Sequence, residues 1–165
     1  TQVSSISRYA MPVYNPRSFI GSGYQGTLGW GYATGLGVKV ARPNVPVLSI
    51  NGDGGFMYNV QEMATAVRHG INLVAVVFND SAFGNVQRMQ KLRYGNRTIA
   101  SDLTNPDFCK LAESFGVVGL RATSPQALQD CLEEAFKMEA PVLIEAPVGE
   151  MPDPWGSVLK LSKVR

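Results

Sequence analysis

Two apolar runs, each ending in a short polar turn, constrain the fold of this chain more than any other feature. The first run, Val45 to Ile50, leads into Asn51-Gly52-Asp53-Gly54-Gly55. The second run, Leu73 to Phe78, leads into Asn79-Asp80, and the stretch between the runs, Val60 to His69, has a helical pattern. Strand, turn, helix and strand in this order predict a right-handed crossover, which places the two strand ends side by side at one edge of a parallel sheet.

Asp53 and Asp80 stand at these two strand ends, 27 positions apart. Two carboxylates beside glycine-rich backbone, whose free amides attract anions, suit the binding of magnesium against a diphosphate. Taken singly, each aspartate is explained as well by a turn in which its side chain bonds to nearby backbone. The spacing of the pair, each residue at the end of an apolar run, favours the metal site.

The rest of the chain continues the alternation of helices and strands. Helices are predicted over Pro106 to Phe115, capped by Asn105, and from Ser124-Pro125 onward. Strands are predicted over Val117 to Leu120 and Pro141 to Ala146. This alternation predicts a single α/β domain over residues 1–165, with a doubly wound, mainly parallel sheet and helices on both faces. Ligands of such folds bind beyond the carboxyl ends of the strands.

Composition and charge argue against several classes of partner. The net charge is only +2, which is too small to indicate binding of nucleic acid or of an anionic membrane surface. The apolar runs are strand-sized and no signal peptide is visible, so we expect a cytoplasmic protein without a membrane span. Cys109 and Cys131 share no metal-ligand spacing, and we expect core thiols in a reducing compartment.

A competing cofactor motif precedes the first strand. Gly21-Ser22-Gly23-Tyr24-Gln25-Gly26 satisfies the dinucleotide pattern G-x-G-x-x-G after a candidate strand at Ser18 to Ile20. Nicotinamide-binding folds also need an acidic residue about 20 positions further on. The chain has no Asp or Glu before Asp53, so this alternative is the weaker one. We interpret Gly21 to Gly37 as a loop that runs into a helix of small residues.

Three longer motifs carry a family resemblance. They are PRSFIGSGYQGTLGWGYATGLG, GDGGFMYNVQEMATAVRHGINLVAVVFND and FGNVQRMQ. The second is similar to the signature of thiamine diphosphate-dependent enzymes, which begins with Gly-Asp-Gly and closes with an Asn pair. The first resembles the loop before the small-residue helix in the acetolactate synthase and benzoylformate decarboxylase group, and the third resembles the segment over its active site. The resemblance covers nearly the whole chain and implies the diphosphate-binding domain of the thiamine diphosphate-binding fold.

The resemblance implies a magnesium site on this chain. Asp53, Asp80 and the backbone carbonyl of Ala82 would ligate Mg²⁺, and diphosphate oxygens and a water would complete the octahedron. Asp80 stands where the family commonly has Asn. We expect the carboxylate to preserve metal binding while making it more dependent on magnesium and on pH.

The resemblance also implies where thiamine diphosphate and substrate would lie. The amides of Gly54 and Gly55 would hold the diphosphate, and the carbonyl of Gly26 and the amide of Leu28 would meet the aminopyrimidine. The Leu28 side chain would lie beneath the cofactor and bend it. The complete implied set of cofactor-binding residues is Gln2, Gly26, Leu28, Gly54, Gly55, Asp80, Ala82, Phe83, Gly84, Asn85 and Val86. Those implied to face the substrate are Asn85, Val86 and Met89.

The glutamate that activates the cofactor in this family belongs to a different, pyrimidine-binding domain, and no glutamate of this chain matches it. We therefore expect no catalytic residue here, and expect the isolated chain to be inactive. The resemblance implies half of the active site of a 2-oxoacid decarboxylase or carboligase, similar to acetolactate synthase. The pyrimidine-binding domain would lie in the same longer chain or in a partner subunit, within a homo-oligomer. The small subunit of a split 2-oxoacid decarboxylase and a non-catalytic cofactor-binding module remain alternatives.

Overall fold

A sheet of four parallel strands organises the chain. The structure, a computed structural model, describes residues 2–23 and 25–153, with the side chain of Gln2 outside that description. The strands are β1 (Leu48–Gly52), β2 (Val74–Asn79), β3 (Val118–Arg121) and β4 (Val142–Pro147), and their spatial order is β1-β2-β4-β3. Each neighbouring pair is parallel, and the register sets Gly52 at the end of β1 beside Phe78 of β2.

Helices precede and connect these strands. They are α1 (Gln2–Ala10), α2 (Trp30–Ala41), α3 (Asp53–Phe56), α4 (Glu62–Arg68), α5 (Gly84–Arg93), α6 (Phe108–Ser114) and α7 (Pro125–Ala135), with a 3₁₀ turn at Met57–Asn59. No helix within the described residues has the length and apolar composition required to cross a membrane.

The two central strands, β2 and β4, are buried on both faces, which explains why they read as nearly continuous apolar runs. Along β2, Ala75 and Val77 enter one core with residues of α2, α3, α4 and α6. Val74 and Val76 enter a second core, on the opposite face, with Ala135 of α7. The predicted α/β fold with a parallel sheet and helices on both faces is therefore confirmed.

Aromatic side chains form the centre of the first core. Phe56 packs edge-to-face against Tyr32 at 5.2 Å between ring centroids and against Phe108 at 6.0 Å. Phe56 and Phe108 are among the largest fully buried side chains. Phe56 belongs to α3, so the short helix that begins at Asp53 is held against the sheet by its fourth residue.

Two element predictions were wrong, and in each case a hydrogen bond between residues three positions apart forms instead. Ser18 to Ile20 form no strand, because the Ser18 amide bonds to the carbonyl of Asn15 at 3.3 Å in a turn. The strand that the dinucleotide motif requires is therefore not formed. Asn105 does not cap α6; Asp107 does, accepting a hydrogen bond from the Lys110 amide at 3.1 Å.

Other helices and strands begin or end at residues different from those predicted, because strand pairing or packing determines their ends. The apolar run from Val45 joins the sheet only at Leu48, which pairs with Val74. The predicted helix over Val60 to His69 is shorter, spanning Glu62–Arg68, and the backbone is already helical at Asp53. The helix predicted from Ser124-Pro125 is confirmed, since the Ser124 hydroxyl accepts from the Ala127 amide at 3.1 Å.

Candidate cofactor and metal site

A cavity of about 210 Å³ lies at the carboxyl ends of β1 and β2. Its lining contains Asp53 and every predicted cofactor-binding residue except Gln2, whose side chain lies outside the described atoms. Val3, Gly52, Phe78 and Met151 complete the wall. Met89 is not part of the lining, so the structure does not bring it to the cavity with Asn85 and Val86. The remaining sequence-predicted residues are thus gathered around one space.

A larger cavity, of about 540 Å³, lies between α1, α2 and the loop before α2. It shares Gly26, Leu28, Gly52 and Gly55 with the smaller one, but its described lining includes arginines and no carboxylate. Magnesium requires oxygen ligands, and protein sites for it use carboxylates. The smaller cavity is therefore the candidate metal site.

Asp53 is buried at the junction of β1 and α3. Only 2% of the residue is exposed, because the strand ends at Gly52 and the helix begins at once. One carboxylate oxygen, Oδ1, accepts a hydrogen bond from the Gly54 amide at 2.8 Å. The other, Oδ2, accepts from the Asn105 side-chain amide at 2.6 Å. Each oxygen keeps a further lone pair for a cation.

Asp80 presents a second carboxylate to the first. Burial raises the pKa of Asp80, and the negative charge of Asp53 raises it further, while the Ala82 backbone amide donates to it and opposes the shift. Among the described residues that line the cavity there is no Lys, Arg or His. A divalent cation would supply the missing positive charge, so the donor set fits Mg²⁺.

The loop after β2 orients the carbonyl of Ala82. The amide of Phe83 bonds to the carbonyl of Ser101, and the amide of Leu103 bonds to the carbonyl of Ser81, both at 2.8 Å. These bonds flank Ala82 in an antiparallel bridge, so the amide and carbonyl of Ala82 itself point away from the 101–103 segment. Its carbonyl is therefore not used by the bridge, and Ala82 itself lines the cavity.

Leu28 reaches the cavity through a turn that depends on glycine. Gly29 has a φ of 81°, in the left-handed region, and a Cβ there would lie 2.8 Å from the Cβ of Tyr58. The Asn59 side chain donates to the Gly29 carbonyl at 2.7 Å and fixes this approach. The Leu28 side chain then extends toward Gly55, beside the first turn after β1.

The segment after β4 closes another side of the cavity. Met151 belongs to the lining, and its carbonyl accepts a hydrogen bond from the Arg88 guanidinium of α5. Arg88 also lies 3.6 Å from a carboxylate oxygen of Asp153. Nothing local in the sequence marks Met151 as a site residue, because its position depends on contacts with a helix more than 50 residues earlier.

The two glycines after Asp53 differ in the space around them, and this difference yields a prediction. A Cβ on Gly54 would lie 2.5 Å from Phe83 Cε1 and 2.9 Å from Leu103 Cδ1, whereas one on Gly55 would meet only Leu28, at 3.7 Å. We expect Gly54→Ala to lower the free energy of unfolding by about 1–3 kcal/mol through overpacking. Gly55→Ala should stay within about 1 kcal/mol of the parent protein, because alanine favours helix over glycine. Urea denaturation without cofactor measures both; equal losses would contradict the packing seen here.

Comparisons with known proteins identify the family of this chain. Residues 1–146 match the family described as "Thiamine pyrophosphate enzyme, C-terminal TPP binding domain". A probable acetolactate synthase large subunit from Methanocaldococcus jannaschii is 44% identical over 131 residues, which is 79% of this chain and 22% of that protein. Acetolactate synthase from Bacillus subtilis is 41% identical over 143 residues, 87% of this chain and 25% of that protein.

A solved structure supports the same assignment. The thiamine diphosphate-dependent 4-hydroxybenzoylformate decarboxylase of Rhodococcus jostii superposes with a TM-score of 0.72 at 26% identity, covering 78% of this chain and 24% of that one. The chain thus spans about a quarter of the length of these relatives. It belongs to the thiamine pyrophosphate (thiamine diphosphate) enzyme family and corresponds to that family's C-terminal cofactor-binding domain.

Proposed function

We propose that this chain binds thiamine diphosphate together with Mg²⁺ and forms half of the active site of a 2-oxoacid carboligase or decarboxylase. The observation that carries the proposal is the pair Asp53 and Asp80, which face one another in a cavity whose described lining has no cationic side chain. Family membership supports the cofactor, and the carboxylate pair supports the metal. The acetolactate synthases among the relatives support carboligation as the first activity to test.

Each residue of the cavity has a role within this proposal. Asp53, Asp80 and the carbonyl of Ala82 hold the metal against the diphosphate, and the amides of Gly54 and Gly55 bind the diphosphate oxygens. The Gly26 carbonyl and the Leu28 amide hold the aminopyrimidine. When bound, thiamine diphosphate supplies the electron sink for making or breaking a carbon–carbon bond next to a carbonyl.

Other side chains of the cavity shape the rest of the pocket. The Leu28 side chain supports the bent form of the cofactor, and Phe83 and Val86 add apolar surface that keeps water from the reacting atoms. Gly84 and Asn85 place the start of α5 beside the small 2-oxoacid substrate. Met89 is one turn further along α5, where it packs behind the pocket or meets a longer substrate. Gln2, at the start of α1, is proposed to contact the diphosphate.

The activating acid is proposed to come from another domain. No glutamate lies among the described residues that line the cavity. The relatives extend well beyond the region matched here, which leaves room for a pyrimidine-binding domain in the same polypeptide or in a partner subunit. Large exposed apolar side chains, including Tyr14, Leu92 and Ile99, offer surface for that contact and for a homo-oligomer.

A thermal-shift experiment tests the proposed function. We expect thiamine diphosphate with Mg²⁺ at 100 times its dissociation constant to add about 2.7 kcal/mol of stability. For a domain of this size the melting temperature would rise by roughly 5–11 °C. Either ligand alone should give a smaller shift, and NAD should give none. Stabilisation by thiamine diphosphate that is independent of Mg²⁺, or stabilisation by NAD, would contradict the proposal.

The pH dependence of stability provides a prediction about Asp80. Because its pKa is raised in the folded protein, the folded state holds this proton more tightly than the unfolded state. The free energy of unfolding without metal should therefore fall as the pH rises through the raised pKa. In Asp80→Asn the decline should be shallower and Mg²⁺ should matter less for cofactor binding. Urea denaturation in EDTA from roughly pH 4 to pH 8 measures the difference; parallel pH profiles for both proteins would contradict it.

A further inference from the structure

We propose that a chain of hydrogen-bonded side chains, buried or half-buried except for the exposed Arg121, orients Asp53 from behind, and so determines how selectively the site binds magnesium. The chain runs from Arg121 through Glu145, Asn79 and Asn105 to Asp53, and we call it the Arg121–Asp53 chain. None of its first four members lines the cavity, so they act as positioning residues. The inference rests on the proposed function, in which Asp53 is a ligand of Mg²⁺.

The distances form an unbroken series. Arg121 donates to Glu145 Oε2 from Nε at 3.0 Å and from Nη2 at 2.9 Å. Asn79 Nδ2 donates to the other carboxylate oxygen, Glu145 Oε1, at 2.8 Å. Asn105 Nδ2 donates to Asn79 Oδ1 at 2.9 Å and to Asp53 Oδ2 at 2.6 Å.

The two amide groups can complete this series in one orientation only. Asn79 Oδ1 accepts from Asn105 and from the Ser81 amide, at 3.2 Å, while its Nδ2 faces a carboxylate. Rotating the Asn79 amide would set its NH₂ against two donors and its oxygen against Glu145. Asn105 likewise uses both N–H groups of its side chain as donors. The position of the Asp53 carboxylate is therefore fixed by a directional network as well as by packing.

The far end of the chain is anchored by charge. Glu145 is only 4% exposed and lies on β4 in the middle of the sheet, where an unpaired carboxylate would be costly. Arg121 of β3 neutralises it and also contacts Asp107 Oδ1 at 2.8 Å, at the start of α6. The hydrogen bonds to Asp107 and Glu145 raise the pKa of Arg121, so it stays charged.

This anchoring accounts for a second cluster of ligand-type atoms. Oxygen and sulfur atoms of Asp107, Cys109 and Glu145 lie within 4.8 Å of one another. The Arg121 guanidinium bonds to both carboxylates of that cluster, so Arg121 already provides the positive charge that a metal ion would bring. The cluster is the base of the Arg121–Asp53 chain and not an independent metal site.

We expect the Arg121–Asp53 chain to affect the selectivity between Mg²⁺ and Ca²⁺, because these two ions differ in the coordination geometry that they require. Mg²⁺ requires near-ideal octahedral geometry, whereas Ca²⁺ accepts longer bonds and variable geometry. Partners behind a metal ligand typically affect metal affinity by about 10- to 100-fold. A loosened Asp53 should therefore lose more affinity for Mg²⁺ than for Ca²⁺.

The test measures the concentration of each ion required for half-saturated binding of thiamine diphosphate, by calorimetry on the assembled protein. In Asn105→Ala, which removes both donors, we expect the Mg²⁺ requirement to rise about 10- to 100-fold and the Ca²⁺ requirement to rise less. Glu145→Gln keeps the side-chain volume and should give an intermediate rise. If Asn105→Ala does not fold, Glu145→Gln still tests the positioning role.

A control separates positioning from general loss of stability. Ser124→Ala removes the cap of α7 on the opposite face of the sheet and should cost about 1 kcal/mol without changing either ion requirement. Unchanged ion requirements in Asn105→Ala and Glu145→Gln, or equal rises for both ions, would overturn the positioning role. Absence of Mg²⁺-dependent binding in the parent protein would instead overturn the proposed function, so the two failures are distinguishable.

Discussion

Asp53→Asn should abolish the magnesium-dependent binding of thiamine diphosphate while leaving the protein folded. The substitution keeps the shape of the side chain but removes the charge of a residue that is 2% exposed at the centre of the candidate metal site. Since partners behind a ligand are already worth about 10- to 100-fold in metal affinity, loss of the ligand charge should weaken Mg²⁺ binding by more than roughly 100-fold. Calorimetric titration with thiamine diphosphate, with and without Mg²⁺, measures this loss.

The apo form of the same variant provides an internal check. Removing the charge of Asp53 relieves its repulsion of Asp80, but the new NH₂ group must face one of the two donors, Gly54 or Asn105, from which the carboxylate oxygens accept. We therefore expect the free energy of unfolding without ligand to fall by no more than about 1–3 kcal/mol. Asp130→Asn is the matched control, because this exposed carboxylate lies on α7, outside the cavity lining, and accepts a hydrogen bond from Gln126 at 2.9 Å. Retained magnesium-dependent binding in Asp53→Asn, at parental affinity, would refute the metal assignment.

Phe108→Ala should produce the largest loss of stability. Phe108 is fully buried, contacts Phe56 at 6.0 Å between ring centroids, and begins α6 against the sheet. Truncation of a buried phenylalanine costs about 3–5 kcal/mol through lost burial and the cavity left behind. For a domain of this size, the melting temperature should fall by roughly 6–20 °C. Urea denaturation followed by circular dichroism gives the free energy directly.

A second phenylalanine supplies the comparison. Phe136 follows α7 and is 42% exposed, so Phe136→Ala removes the same atoms with much less loss of burial. We expect it to cost less than about 1 kcal/mol, as is usual for surface positions. Similar losses for the two variants would show that the aromatic core around Phe56 does not contribute as the packing indicates.

The first pair of strands and the two aspartates were predictable because their signals are local. The apolar runs before Asp53 and Asp80 are long enough to be buried strands, and the turn residues that follow them can leave the sheet. The handedness of crossover connections then brings the two strand ends together. The structure shows the predicted parallel pairing of β1 with β2 and places both carboxylates at one cavity.

Asn105 shows why the rest could not be predicted in the same way. Its position before Pro106 is typical of a helix cap, and Asp107, two residues later, has the same preference. Which of the two residues caps α6 depends on which groups form hydrogen bonds with the Asn105 side chain. Asp53 lies 52 positions earlier and Asn79 lies 26 positions earlier, so no local pattern records these bonds.

The sequence by itself determined the fold class, the parallel pairing of the strands and the placement of two acidic residues at their ends. Those features follow from hydrophobic periodicity and backbone handedness, which act over short stretches of chain. Only the tertiary structure decided which side chains surround the aspartates, because hydrogen bonds such as that between Asn79 and Glu145 join residues 66 positions apart. Their directions depend on the final register and packing of the sheet, and those are set when all the elements come together.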